Sequence, residues 1–248
     1  MSARLLRLEF SKMRRLRMGL SAAALVCAVS GLSIMSAVSS PEFSPAAPEA
    51  WAGLLAGLSL AVPVGSPLTI AVLASRQVDI EHRANGWLLA RTAGVTTGRL
   101  CRTKFAATAI WVAGATVLSS LLVAGFGLAV GITAVLPVAA WALYTLLAVT
   151  VSLVVLALHV VLATVVDNQL VTLGIGVVGT LIAVFASGFP PLLAHLSPWG
   201  YYALATGAAF VGDAPELLTP AYPSVAALAV VGSLLFVLTT GLLDLKED

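Results

Sequence analysis

Six long apolar stretches separated by short polar ones set the layout of this 248-residue chain. They cover residues 18–38, 51–74, 105–130, 137–161, 170–189 and 223–243. A helix crossing a bilayer needs about 20 predominantly apolar residues, and each stretch is of that order. The second contains Pro63, Gly65 and Pro67, which predicts a kink or break near its middle. Ahead of the first, Leu6, Phe10, Met13 and Leu20 recur at steps of four, three and seven, while Arg4, Arg7, Ser11 and Arg14 fall opposite. That pattern predicts an amphipathic helix over 1–17 lying in the headgroup layer. A signal-peptide reading, with a small-residue stop near 36–39, competes, but its apolar region is normally only about 7–15 residues long.

Hydrophobic residues make up 60% of the chain and charged residues 10%, against roughly a quarter charged in soluble domains. The chain therefore reads as an all-α integral membrane protein, a single transmembrane domain over 1–248. Charge placement then orients it. Of the 13 Lys and Arg residues, six lie in 1–17, six in 76–104, and one is Lys246. The segments left for the other side hold Glu42, Glu49, Asp213 and Glu216 and no base. The positive-inside rule places both termini and 76–104 in the cytoplasm. Trp51, Trp111, Trp141 and Trp199 fall near the predicted interfaces, as an aromatic belt would. Between spans five and six, prolines divide 190–222 into pieces, predicting a broken outer helical segment. Its apolar part, 199–211, is either a cap or part of an exit. Cys27 and Cys101 sit in different environments, which argues against a disulfide.

Several catalytic patterns fail on the residues. Gly174, Gly176 and Gly179 spell GxGxxG, but inside an apolar span; Thr172, Gly176 and Thr180 read better as a small-residue packing stripe. The lysines follow Ser11, Thr103 and Leu245, so none completes a P-loop Gly-Lys pair. His82 is followed by Arg83, which rules out the HExxH metal motif. Gly212–Asp213 resembles the aspartyl motif of intramembrane proteases, but Phe210 replaces its first glycine. His159 and Asp167 lie eight residues apart, about 12 Å along a helix and too far for a catalytic pair. His159 is a functional candidate, as an ionisable group within a membrane is by default, with simple packing near the interface as the favoured alternative. The basic tracts satisfy topology and form no nucleic-acid site.

The polar run 76–104 is the chain's principal handle on water. Asp79, Glu81, His82 and Arg83 open it, Gly86 permits a bend or close approach, and Trp87, Leu88 and Leu89 form an apolar knot. An exposed aromatic and two leucines among charges suit a docking surface; burial of Trp87 in headgroups is the alternative. The order Glu81, Gly86, Leu88–Leu89, Gly94–Val95, Arg99 and Lys104, after a basic amphipathic start, resembles the ABC transporter type-2 (ABC-2) permeases. It is closest in kind to the lantibiotic- and bacitracin-immunity branch. Trp87 and Gly94 stand where that family often has Thr and Pro.

The resemblance implies a permease subunit of an ATP-driven exporter in a bacterial plasma membrane. It implies two cytoplasmic ATPase subunits as partners, which would bind ATP and Mg while this chain binds no cofactor or metal. A second permease copy or a homologue would complete the complex. The segment after span two would be the coupling helix, with Glu81, Arg83, Gly86, Trp87, Leu88 and Leu89 at the ATPase interface and Arg99 and Lys104 marking re-entry into the membrane. Spans almost free of charge suit a hydrophobic or amphipathic substrate: a peptide antibiotic, a drug or a lipid-like molecule. An intramembrane enzyme and a membrane scaffold remain the alternative classes.

Overall fold

The computed structural model describes residues 3–212 and 214–245; Asp213 and Lys246, which enter the charge count, lie outside them. Ten helices are present among the described residues: α1 (Ala3–Arg15), α2 (Met18–Val38), α3 (Ala50–Arg83), α4 (Gly86–Thr92), α5 (Thr97–Ala129), α6 (Val138–Val165), α7 (Gln169–Phe185), α8 (Pro191–Ala194), α9 (Tyr201–Leu204) and α10 (Tyr222–Leu245). Six of them are long and apolar enough to cross a membrane: α2, α3, α5, α6, α7 with its 3₁₀ extension to Gly188, and α10. They pack in an up-and-down bundle around α3, 67% of whose most apolar stretch is buried, against 17% for α10. Leu234, Leu235, Leu238 and Leu242 of α10 face outward; an apolar exterior of this kind suits lipid, not water.

Helix α3 runs unbroken through Pro63 and Pro67, so the expected break does not occur. Each proline removes one backbone donor, but α3 is enclosed by α2, α6 and α7, and their packing holds the helix together. Both helices that bound the polar run are longer than the apolar pattern indicated. α3 continues to Arg83 and α5 starts at Thr97, leaving α4 and two short turns between them. Helical hydrogen bonding does not end where the hydrocarbon does.

Two ends can be distinguished. At one, the α5–α6 turn meets the α2–α3 loop through the Thr133 amide donating to the Pro45 carbonyl at 2.9 Å. There the 190–222 segment departs from its expected helical form. Beside the short α8 and α9 it contains an antiparallel hairpin, β1 (Ala208–Val211) with β2 (Ala214–Leu217). The hairpin packs on α3. Trp199, Tyr202, Ala205 and Ala208 are buried in this segment, while Val211 at the end of β1 is exposed. The expected aromatic belt is likewise mostly internal. Trp51 and Trp141 meet edge to face at 5.8 Å. Their indoles donate to the Ala134 carbonyl at 2.8 Å and the Ser120 hydroxyl at 2.9 Å. A buried indole needs such a partner, and these two find one within the bundle.

Candidate functional site

The opposite end gathers α1, the end of α3, α4 and the start of α5. The apolar face of α1 is packed into the bundle: Met13 is buried, with Leu6, Phe10 and Leu16 against the same core. Arg17, at φ 53°, makes the left-handed turn that lets α1 lead into α2 at an angle. Asn85, at φ 51°, does the same between α3 and α4, and asparagine is among the residues that tolerate that region.

Beneath this corner lies a buried charge network. Lys104, fully buried, donates to Glu9 Oε2 at 2.9 Å, Glu81 Oε1 at 2.7 Å and the Gln77 carbonyl at 3.0 Å. That uses all three ammonium donors. Lys12 bridges the same carboxylates, reaching Glu9 Oε1 at 2.9 Å and Glu81 Oε1 at 2.6 Å. The Gln77 amide donates to Glu9 Oε2 at 3.2 Å, and the Thr108 hydroxyl donates to Gln77 Oε1. Two cations and two carboxylates balance, and the set ties α1, α3 and α5 together. Burial alone would raise the Glu9 carboxyl, but the charge of Lys104 and hydrogen bonds from Lys12 and Lys104 outweigh it and hold Glu9 below its usual range. For Lys12, burial pulls down, while the hydrogen bonds it donates to Glu81 and Glu9, and their charges, leave it raised.

The positions singled out in the sequence divide into two groups here. Glu81, Gly86 and Lys104 belong to the interior. A Cβ on Gly86 would overlap the Glu81 carboxylate, so only glycine lets α4 start against that ion pair. Leu88 and Leu89 stand outward, 61% and 64% exposed. Trp87 is half-buried, its indole donating to His82 Nδ1 at 3.3 Å. Arg83 is exposed and paired with Asp79 at 2.7 Å. The Arg99 amide, at the N-terminus of α5, donates to Asp244 of α10 at 3.2 Å. Asp244 also pairs with Arg102 at 2.9 Å. Between α1 and α4 opens a groove of about 530 Å³, walled by Leu5, Leu8, Leu16, Leu89, Val95 and Leu100, with Arg15 at its edge.

Elsewhere, Thr172 and Gly176 are buried on α7, where a Cβ at Gly176 would overlap that of Ala71 on α3; Thr180 bonds back to the Gly176 carbonyl at 2.9 Å. His159 is buried near Trp199, with ring centres 5.9 Å apart. Asp167 pairs with His82 at 2.9 Å. Among the described residues no cluster of three or more His, Cys, Asp or Glu could hold a metal, and Cys27 and Cys101 are free thiols. Glu9, Lys12, Gln77 and Thr108 were not singled out from sequence. The available signal was one acid, Glu9, in an otherwise basic helix.

A family model described as "ABC-2 family transporter protein" matches residues 5–183. The comparison with curated proteins finds no match.

Proposed function

The chain belongs to the ABC-2 family of transporter proteins, membrane transport components that work with ABC ATPase partners, and from that premise we propose that it is the permease subunit of an ATP-driven exporter. Both termini and α4 face the cytoplasm of a bacterial cell. Two ATPase subunits, which carry ATP and Mg, grip the membrane part there, and a second permease copy or homologue completes the pathway. The substrate is hydrophobic or amphipathic, in keeping with the lantibiotic- and bacitracin-immunity branch.

The observation that carries this reading is the division of labour at α4. Leu88 and Leu89 are exposed next to a basic corner, while the residues behind them are locked to three helices through Glu81 and Lys104. A force on the leucines reaches α3 directly and α1 and α5 through the charge network. ATP closure drives transport only by favouring one arrangement of these helices over another. The apolar groove beside α4 supplies further contact area, as an interface core does.

Co-purification with a cytoplasmic ABC ATPase tests the proposal. Leu88→Asp with Leu89→Asp is expected to cut ATPase association at least tenfold and abolish substrate-stimulated ATP turnover, at an unchanged level in the membrane. Trp87→Ala weakens both less. Normal association and turnover in the double variant would overturn the assignment.

A further inference from the structure

His82 has three partners that it cannot satisfy at once. Its Nε2 lies 2.9 Å from the Ala163 carbonyl of α6; a carbonyl only accepts, so Nε2 carries a proton. Its Nδ1 lies 3.3 Å from the Trp87 indole of α4, which only donates, and 2.9 Å from the Asp167 carboxylate in the α6–α7 connection, which only accepts. The neutral ring offers Trp87 a lone pair on Nδ1 and leaves Asp167 without a donor. The imidazolium gives Asp167 a charge-assisted N–H and leaves Trp87 without an acceptor.

We propose that His82 is a positioning residue that ties α4 to α3 through Trp87 when neutral and ties α3 to the α6–α7 connection through Asp167 when protonated. The surroundings favour such an exchange. On α3 itself Asp79 and Arg83 pair with each other and Glu81 turns to Lys12 and Lys104. The α6–α7 connection supplies Asp167, α6 supplies only the Ala163 carbonyl, and α4 supplies Trp87 with Arg91 farther along. Asp167 is the one ion-pair partner of His82 among the described residues. It is 86% exposed, so it can leave or return without a burial cost. Trp87 precedes the exposed Leu88 and Leu89 directly, so freeing its indole loosens the element that presents them.

That this adjusts coupling rests on the reading of α4 above; the exchange itself does not. Isolated permease in nanodiscs, without ATPase, is titrated from about pH 8 to about pH 5, the range in which histidine changes charge. The readout is the emission of Trp87, obtained as wild type minus Trp87→Phe. A sigmoidal change is expected in the wild type and is expected to be absent in His82→Gln. A flat titration in the wild type, or a change that persists in His82→Gln, overturns the exchange. With ATPase added, the pH profile of stimulated turnover is expected to flatten in His82→Gln. An unchanged profile beside a wild-type emission titration would count against the coupling reading alone.

Discussion

Lys104 shows how one buried residue can hold a corner of the molecule. It is fully enclosed, yet all three of its donors are used. Removing one partner of a buried ion pair strands the other in low dielectric, which costs about 3–5 kcal/mol. Lys104→Met is therefore expected to lower the thermal unfolding midpoint of the detergent-solubilised protein markedly. Adding Glu81→Gln should recover part of that loss, because it removes a stranded charge. The same network makes stability depend on pH in two directions. Glu9 is lowered from 4.5, so its contribution is present above that value and is lost as pH falls through its folded value. Lys12 is raised from 10.5, so its contribution is present below that value and is lost as pH rises through its folded value. A plateau across neutral pH should persist with its acid limb weakened in Glu9→Gln. The family resemblance places Glu81 at the ATPase interface, where Glu81→Arg would be expected to weaken docking. With its carboxylate between Lys12 and Lys104, that substitution would instead bring three cations together and test the network.

At the scale of elements, the long helices were legible because their signal is local: about 20 apolar residues in a row need no knowledge of neighbours. The hairpin was not. Ala208–Val211 and Ala214–Leu217 are four residues each, too short for a period-two pattern to stand out from the surrounding apolar run. The charge network was equally hidden, since Glu9 and Lys104 are 95 positions apart. Their charges already had a sufficient explanation in topology. Glu81, Gly86 and Lys104 could be picked out in order, but the reason for that order is spatial: an ion pair, and a glycine that clears room for it. Helix packing yields a sharper expectation. Gly176 lies where α7 touches α3 at Ala71, and Gly176→Val would force the two apart. Overpacking of this kind costs about 1–3 kcal/mol, measurable as a lower unfolding midpoint, whereas valine at the uncrowded Gly174 on the same helix should cost less.

For the whole molecule, the sidedness inferred from its basic residues is open to a direct test. Val135, in the α5–α6 turn, is 92% exposed, and Leu88 lies at the opposite end of the bundle. In a background with Cys27 and Cys101 replaced, an impermeant maleimide applied to intact cells should label Val135→Cys at once. Leu88→Cys should react only after the membrane is opened. The reverse pattern would turn the molecule over and remove α4 from the reach of any cytoplasmic ATPase.

The start of α5 is where the first and last helices both attach, Glu9 to Lys104 and Asp244 to Arg102. During synthesis these attachments cannot form together. When Lys104 leaves the ribosome, its carboxylate partner on α1 has long been made, so that charge can be neutralised on arrival. Arg102 must wait for a residue 142 positions later, with four more membrane passages to be threaded first. The order of translation thus makes the final helix a bolt drawn across a door already hung, and a nascent chain arrested before it would leave one side of that door unfastened.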